Sequence, residues 1–413
     1  MIRRSHRRPL LIAVAAFFAH AWTVDAQERE PQTRAEALRI EREAKATQLR
    51  PPEPSKLEKT LLDLEAGRLF ERILNPAEGL YPKFGSITAG SGFSIGPGYR
   101  TTHKFGGEFD FSTFAMASMK KYWIADARMQ LPRLLDEHLG LDAHIQGYDF
   151  QDELFFGIGP DSARSDLVTY GFRNTVVGGS ATVRPTPWLT INGAADFLNP
   201  RIDPATGEEE DIGSRFDDTS AAGLADQPDF MRYEGTVDVN LREPRGNPRS
   251  GGRYMFAYQR YDDLESNLYS FQRAEVDVQQ YISLLRDRRV LALRAMASAS
   301  DADQGARVPF YYLRTLGGPD DLRGFHRKRF SDTHALLLQA EYRWEIFTAV
   351  DGAIFYDAGK VASRLEDLNL RDLESDYGIG FRFGTANGVF FRVEAAFGSR
   401  DGKHFVFRFN NVF

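Results

Sequence analysis

The chain has 413 residues, a formal net charge of −6 and no cysteine. The lack of cysteine excludes a disulfide framework, a thiol nucleophile and a thiolate metal site, and the negative balance argues against a nucleic-acid partner. Hydrophobic residues make up 42% of the chain, yet after residue 26 no stretch reaches the roughly 20 consecutive apolar residues that a spanning helix needs.

The first 26 residues read as a secretory signal peptide. Arg3, Arg4, Arg7 and Arg8 precede an apolar run over 10–19, and Val24-Asp25-Ala26 offers small residues for cleavage between Ala26 and Gln27. The run is too short to anchor in a bilayer. Loss of its four arginines and one aspartate takes the net charge of the mature chain from −6 to −9.

Residues 27–77 are charged, rich in Ala and Leu, and free of period-2 alternation. They are expected to be a short helical periplasmic segment. A polar helix over 33–49 is broken by Pro51, Pro52 and Pro54. Ser55 and Glu58 then stand at capping-box spacing before Leu57, Leu61, Leu64, Leu69, Phe70 and Ile73, until Asn75-Pro76 stops the run. This amphipathic helix reads as a tether near the mouth of the domain that follows; a plug or a partner-binding helix is the alternative.

From 78 to 413 the signal is alternation. Phe105, Gly107, Phe109 and Phe111 interleave with Glu108, Asp110 and Ser112. Tyr233, Val237, Val239 and Leu241 interleave with Glu234, Asp238 and Arg242. Val389, Phe391, Val393 and Phe397 flank Arg392 and Glu394. Each strand has one apolar and one charged face. A soluble sandwich would alternate too, but faces this rich in Phe and Tyr suit the aromatic girdles of a membrane barrel. The fold class is therefore all-β, a transmembrane antiparallel β-barrel.

Tight turns are expected near 132–136, 185–187, 243–250, 286–289, 347–350 and 385–388, and long connections over 151–167, 199–229, 301–331 and 362–373. The two sets alternate, as in an outer-membrane barrel with short periplasmic turns and longer external loops. Counting through them gives about 16 strands, an even number that leaves both termini in the periplasm.

The connection over 301–331 holds Leu316-Gly317-Gly318-Pro319-Asp320-Asp321-Leu322-Arg323-Gly324-Phe325. Further on come Leu338-Gln339-Ala340-Glu341-Tyr342-Arg343 and Phe355-Tyr356-Asp357-Ala358-Gly359. On these residues, the region from about 81 to 413 resembles the BamA/TamA outer-membrane assembly-factor superfamily, also called bacterial surface antigens. A Gly-Gly bend followed by a Leu-Arg-Gly-Phe tetrad is the mark of that family's sixth external loop. The resemblance implies a 16-stranded barrel whose loop folds back into the lumen, with Arg323 meeting wall carboxylates at Glu341 and Asp357. Alternation independently puts Glu341 on the inward face, opposite Tyr342 and Trp344, and a guanidinium can engage such carboxylates in bidentate fashion. The segment from Phe155 to Ser162 resembles a recurrent stretch of shorter members. Phe405, Phe407, Phe409 and the terminal Phe413 resemble the C-terminal strand signal of barrel substrates, with Asn410 where glycine is frequent.

Family insertases carry periplasmic POTRA domains, and the roughly 50 residues between the signal and the barrel, helical in pattern, are at the floor of domain size. A POTRA domain is not expected there. The expected function is outer-membrane protein assembly or translocation; the alternative is a POTRA-less channel or surface protein without insertase activity. Lumen charges such as Glu234, Asp238, Arg382, Arg392 and Glu394 suit both. Catalysis is not expected, because there is no G-x-S-x-G elbow or HExxH pair and His103, His138, His144, His326, His334 and His404 are scattered. No cofactor or metal is implied: the acidic run Glu208, Glu209, Glu210 and Asp211 lacks calcium-loop spacing. Expected partners are outer-membrane lipid and lipopolysaccharide, with a periplasmic protein partner to supply recruitment.

Overall fold

A computed structural model describes residue 34 and residues 78–413, apart from 89, 105–108, 286–287, 348, 386–387 and 409–412. The signal peptide with Ala26 and Gln27, the helices expected between 27 and 77, and Phe409 lie outside the described residues.

Sixteen strands form one antiparallel sheet in chain order: β1 (Gly79–Gly85), β2 (Ser94–Lys104), β3 (Phe109–Ser118), β4 (Trp123–Leu134), β5 (Leu139–Phe155), β6 (Val168–Thr186), β7 (Leu189–Asp203), β8 (Phe230–Asn240), β9 (Gly251–Asp263), β10 (Phe271–Leu284), β11 (Arg289–Ala302), β14 (His334–Phe347), β15 (Val350–Ala362), β16 (Glu374–Thr385), β17 (Gly388–Ser399) and β18 (Gly402–Arg408). The remaining two, β12 (Arg314–Leu316) and β13 (Phe330–Asp332), pair as a hairpin inside the connection from β11 to β14. The order is that of an up-and-down barrel.

The two faces of this sheet are inverted relative to a soluble protein. Phe256 and Tyr258 of β9, Ile354 and Tyr356 of β15 and Ile379 and Phe381 of β16 are exposed on the outside. Asp277 and Gln279 of β10, Glu341 and Arg343 of β14 and Asp357 of β15 are buried on the inside. Apolar surface left exposed on this scale is stable only against lipid. Among the described residues no helix is long and apolar enough to cross a membrane.

One end of the barrel carries the long connections, of which those at 204–229 and 303–333 are the largest. The ranges 151–155 and 199–203, expected in loops, belong to β5 and β7, which run for 17 and 15 residues beside the 19 of β6. About ten residues suffice to span a bilayer, so these strands continue past it at the long-loop end. The reason is apolar: Phe155 and Leu198 join Tyr170, Phe172, Phe230, Tyr261, Phe271 and Phe310 in a buried cluster, against which Ile202 packs. The Phe310 ring lies 5.3 Å from that of Phe155 and 4.9 Å from that of Tyr170. Rings from the inner wall and from the 303–333 connection thus pack the lumen at the long-loop end.

The sheet starts at β1 and ends at β18, and among the described residues no strand pairing joins the two. Pro82 of β1 faces Pro97 of β2. A proline that cannot donate to a ladder belongs on an edge strand, and β1 is one.

Candidate functional site

The connection between β11 and β14 leaves the wall at the long-loop end and turns back inside. The β12–β13 hairpin ends at Leu316 opposite Phe330, and residues 317–329 form its tip. Gly317 and Gly318 take φ of +115° and +106°, a region L-residues with a Cβ avoid. A Cβ on Gly317 would lie 2.3 Å from the His326 carbonyl oxygen, so the bend depends on glycine. Leu322 and Phe325 are fully buried with Leu316, Phe330, Met296, Leu337 and Val361, and this apolar set anchors the tip against β11, β14 and β15.

Between those two anchors Arg323 enters the wall. Its Nε and Nη2 donate to the two carboxylate oxygens of Asp357 at 2.7 and 2.8 Å, and Nη1 donates to Glu341 and to Glu394 at 3.0 Å each. The guanidinium carbon stands 3.4 Å from the centre of the Phe355 ring. Fork geometry, two carboxylates beyond the bidentate one and a flat ring together call for arginine. Gly324 permits the close approach, since a Cβ there would lie 2.5 Å from the Asp376 Cβ.

The carboxylates are held in turn. Glu341 accepts from Arg343 and Arg382, Glu394 accepts from Arg382 at 3.0 Å and Arg392 at 2.5 Å, and Gln339 donates to Asp357 at 3.2 Å. Arg392 reaches back to the loop at the Pro319 carbonyl and Asp320, both at 2.8 Å. The sequence presents Glu394, Arg382 and Arg392 only as lumen charges; the structure adds them to the Arg323 site. The signal was present in the alternation of β17, but nothing local to β17 says which loop its carboxylate meets.

A second clamp holds the other side of the tip. Arg329 donates to Asp401 at 3.2 Å, to the Ser162 hydroxyl at 3.0 Å and to the Ser162 carbonyl at 2.8 Å. His326 Nδ1 lies 3.0 Å from Asp401, and Arg327 donates to both oxygens of Glu153 at 2.8 and 3.0 Å. The Phe155 to Ser162 segment is thereby a partner of the loop, and Gly159 N–H donates to the Ser331 carbonyl at 2.9 Å. Asp401 sits in the turn between β17 and β18. Its burial works upward, but hydrogen bonds from His326 and the charge of Arg329 prevail and bring its carboxyl down to about 2.

The C-terminal aromatics divide. Phe405 and Phe407 are exposed on the outer face, whereas Phe413 is buried against Tyr281, Val290 and Ala292 on the inner wall, with the Arg343 guanidinium 5.7 Å from its ring centre. Strict alternation would place 413 with 405 and 407, and β18 as described ends at Arg408. Residues 409–412, which join β18 to Phe413, lie outside the described residues, and the terminal ring itself takes buried apolar surface. Among the described residues no group of three metal-ligating side chains is found. His144 lies between Asp142 at 2.8 Å and Asp196 at 3.1 Å, within the ion pairs of the wall.

A family model described as the Omp85 superfamily domain matches residues 197–411, just over half of the chain. Among solved structures, BamA from Haemophilus ducreyi lacking POTRA domains 1–3 superposes with a TM-score of 0.61 at 13% identity, over 87% of this chain and 79% of that one. CdiB from Escherichia coli gives 0.49 at 13% identity, over 80% of this chain and 61% of that one. CdiB from Acinetobacter baumannii gives 0.46 at 12% identity, over 79% and 58%. No curated protein matches the sequence.

Proposed function

The chain belongs to the Omp85 superfamily, and from that premise we propose that it helps to assemble or translocate polypeptides at the outer membrane, using the seam between β1 and β18. The observation that carries this reading is the pair of strand edges left without a ladder between them among the described residues. An edge strand presents free N–H and C=O groups, which a client strand can complete by addition. Pro82 leaves one donor out of the β1 edge, which weakens self-pairing there. In this reading the long-loop end faces outward, both termini are periplasmic, and the docked loop braces β14–β17 so that movement is confined to the seam.

The channel reading has less support. The aromatic cluster around Phe310 packs the long-loop end of the lumen, where a passive pore would need a wet path. A catalytic role finds no group of three metal-ligating side chains among the described residues to support it.

The test is reconstitution of the full chain in liposomes with an unfolded barrel substrate whose folding is timed. The chain has no cysteine, so Ser86→Cys with His404→Cys can be bridged by a bis-maleimide across the seam without background. Accelerated substrate folding that disappears on bridging is the expected result. No acceleration before bridging, or full acceleration after it, overturns the proposal.

A further inference from the structure

Two cavities adjoin at the seam. One of about 1200 Å³ lies between β1 and β18 and is lined on its apolar side by Phe84, Phe93, Phe405 and Phe407. A second, of about 680 Å³, opens beside it, where the hydroxyls of Thr169 and Thr206 and the carboxylates of Asp152, Glu208 and Glu209 share the lining with Met119 and Leu154. Gly90, Lys120 and Arg327 line both. Lys120 donates to the Gly90 carbonyl at 3.0 Å, and no carboxylate partner for it is found among the described residues. Arg327 uses Nη1 for Glu153, while its Nη2 stands by Gly90, 3.6 Å from where a Cβ there would lie. No carboxylate lines the larger cavity.

An apolar chamber, a cationic threshold and a mixed chamber whose hydroxyls and carboxylates can hydrogen-bond sugar hydroxyls match, in succession, one kind of molecule. We propose that the two cavities bind a phosphorylated, acylated glycolipid of the outer leaflet, with acyl chain among the four phenyl rings, phosphate at Lys120 and Arg327, and sugar hydroxyls in the mixed chamber. The inference deepens the seam reading and rests on its orientation, which puts these cavities at the outer leaflet. Charge decides the occupant. A client strand would satisfy backbone edges but has no use for a cationic threshold, whereas a phosphate accepts charge-assisted hydrogen bonds from both side chains. Phospholipid lacks the sugar that the second chamber fits.

The probe is deep-rough lipopolysaccharide, competed against phosphatidylglycerol, with retention on the detergent-purified full chain read by native mass spectrometry. The wild type is expected to retain the glycolipid and to lose phosphatidylglycerol. Lys120→Glu and Phe93→Glu, both at exposed positions, should each lower glycolipid retention about tenfold or more with unchanged heat-modifiable gel mobility. Equal retention of the two lipids by the wild type, or wild-type retention by both variants, overturns the site. The liposome folding assay is run on the same preparations. Seam-dependent folding without glycolipid preference overturns the lipid site alone, and glycolipid retention without accelerated folding overturns the assembly reading alone.

Discussion

Gly324 and Asp376 pack so closely that a Cβ on residue 324 would stand 2.5 Å from the Cβ of Asp376. Asp376 belongs to β16, and its neighbour on β15, Asp357, is the bidentate partner of Arg323. One missing methyl therefore sets how deep the preceding arginine can reach. Gly324→Ala should lift the tip off the wall at a cost of about 1–3 kcal/mol, the usual scale of overpacking. Limited proteolysis at Arg327 and Lys328 measures it: the variant should be cut at the tip while the barrel stays intact, and wild-type resistance would show that the wall gives way instead.

Arg323 is the charge that three carboxylates share. Arg323→Ala leaves buried Asp357 without its bidentate arginine, while Glu341 and Glu394 keep Arg343, Arg382 and Arg392, and removing one partner of a buried pair costs about 3–5 kcal/mol. The urea midpoint of the barrel in detergent should fall and heat-modifiable gel mobility should weaken. Arg323→Lys keeps the charge but loses the fork and the stacking on Phe355, so it should recover less than half of the loss. Full recovery by lysine would mean that charge alone holds the loop.

How far this site could be read from sequence follows from how its parts are spaced. Gly317, Gly318 and the Leu322 to Phe325 tetrad lie in one short run, and the alternation of β14 turns Glu341 inward, so loop and wall could be matched. Glu394 escaped because the contact is long-range: it is 71 residues from Arg323. The continuation of β5 over 151–155 and β7 over 199–203 escaped because polar residues such as Gln151, Asp152 and Arg201 read as loop, while the Phe155 and Leu198 contacts that extend the strands come from Phe310 and its neighbours far along the chain.

The clamp at Asp401 makes the tip sensitive to acid. Its carboxyl is depressed in the folded state, from an ordinary value near 3.8 to about 2, so it contributes stability above pH 4 that is lost as pH falls through 2. A shift of that size corresponds to about 2 kcal/mol. The stability of the tip against exchange should decline below pH 4, and Asp401→Asn should be loose throughout and lack that decline. Hydrogen exchange of residues 326–329 at matched intrinsic rates checks it. A decline that persists in Asp401→Asn would assign the acid sensitivity to Glu153, the partner of Arg327 and Lys328.

Phe310 is the ring expected to seal the long-loop end of the barrel. It touches Phe155 and Tyr170 on the wall and Tyr311 beside it on the same loop, so its ring joins the connection over 303–333 to β5 and β6. Truncating a buried Phe to Ala costs about 3–5 kcal/mol, but here the lost volume lies at the mouth of a wet lumen, where water can enter the gap. The Arg323 site lies deeper, on β14–β17, and does not depend on that ring. Phe310→Ala should therefore keep the loop docked, with wild-type tip proteolysis, while single-channel conductance in planar bilayers rises from rare brief openings to a steady level. A wild-type barrel that is already steadily open would remove the aromatic cluster as a seal and move the balance toward the channel reading.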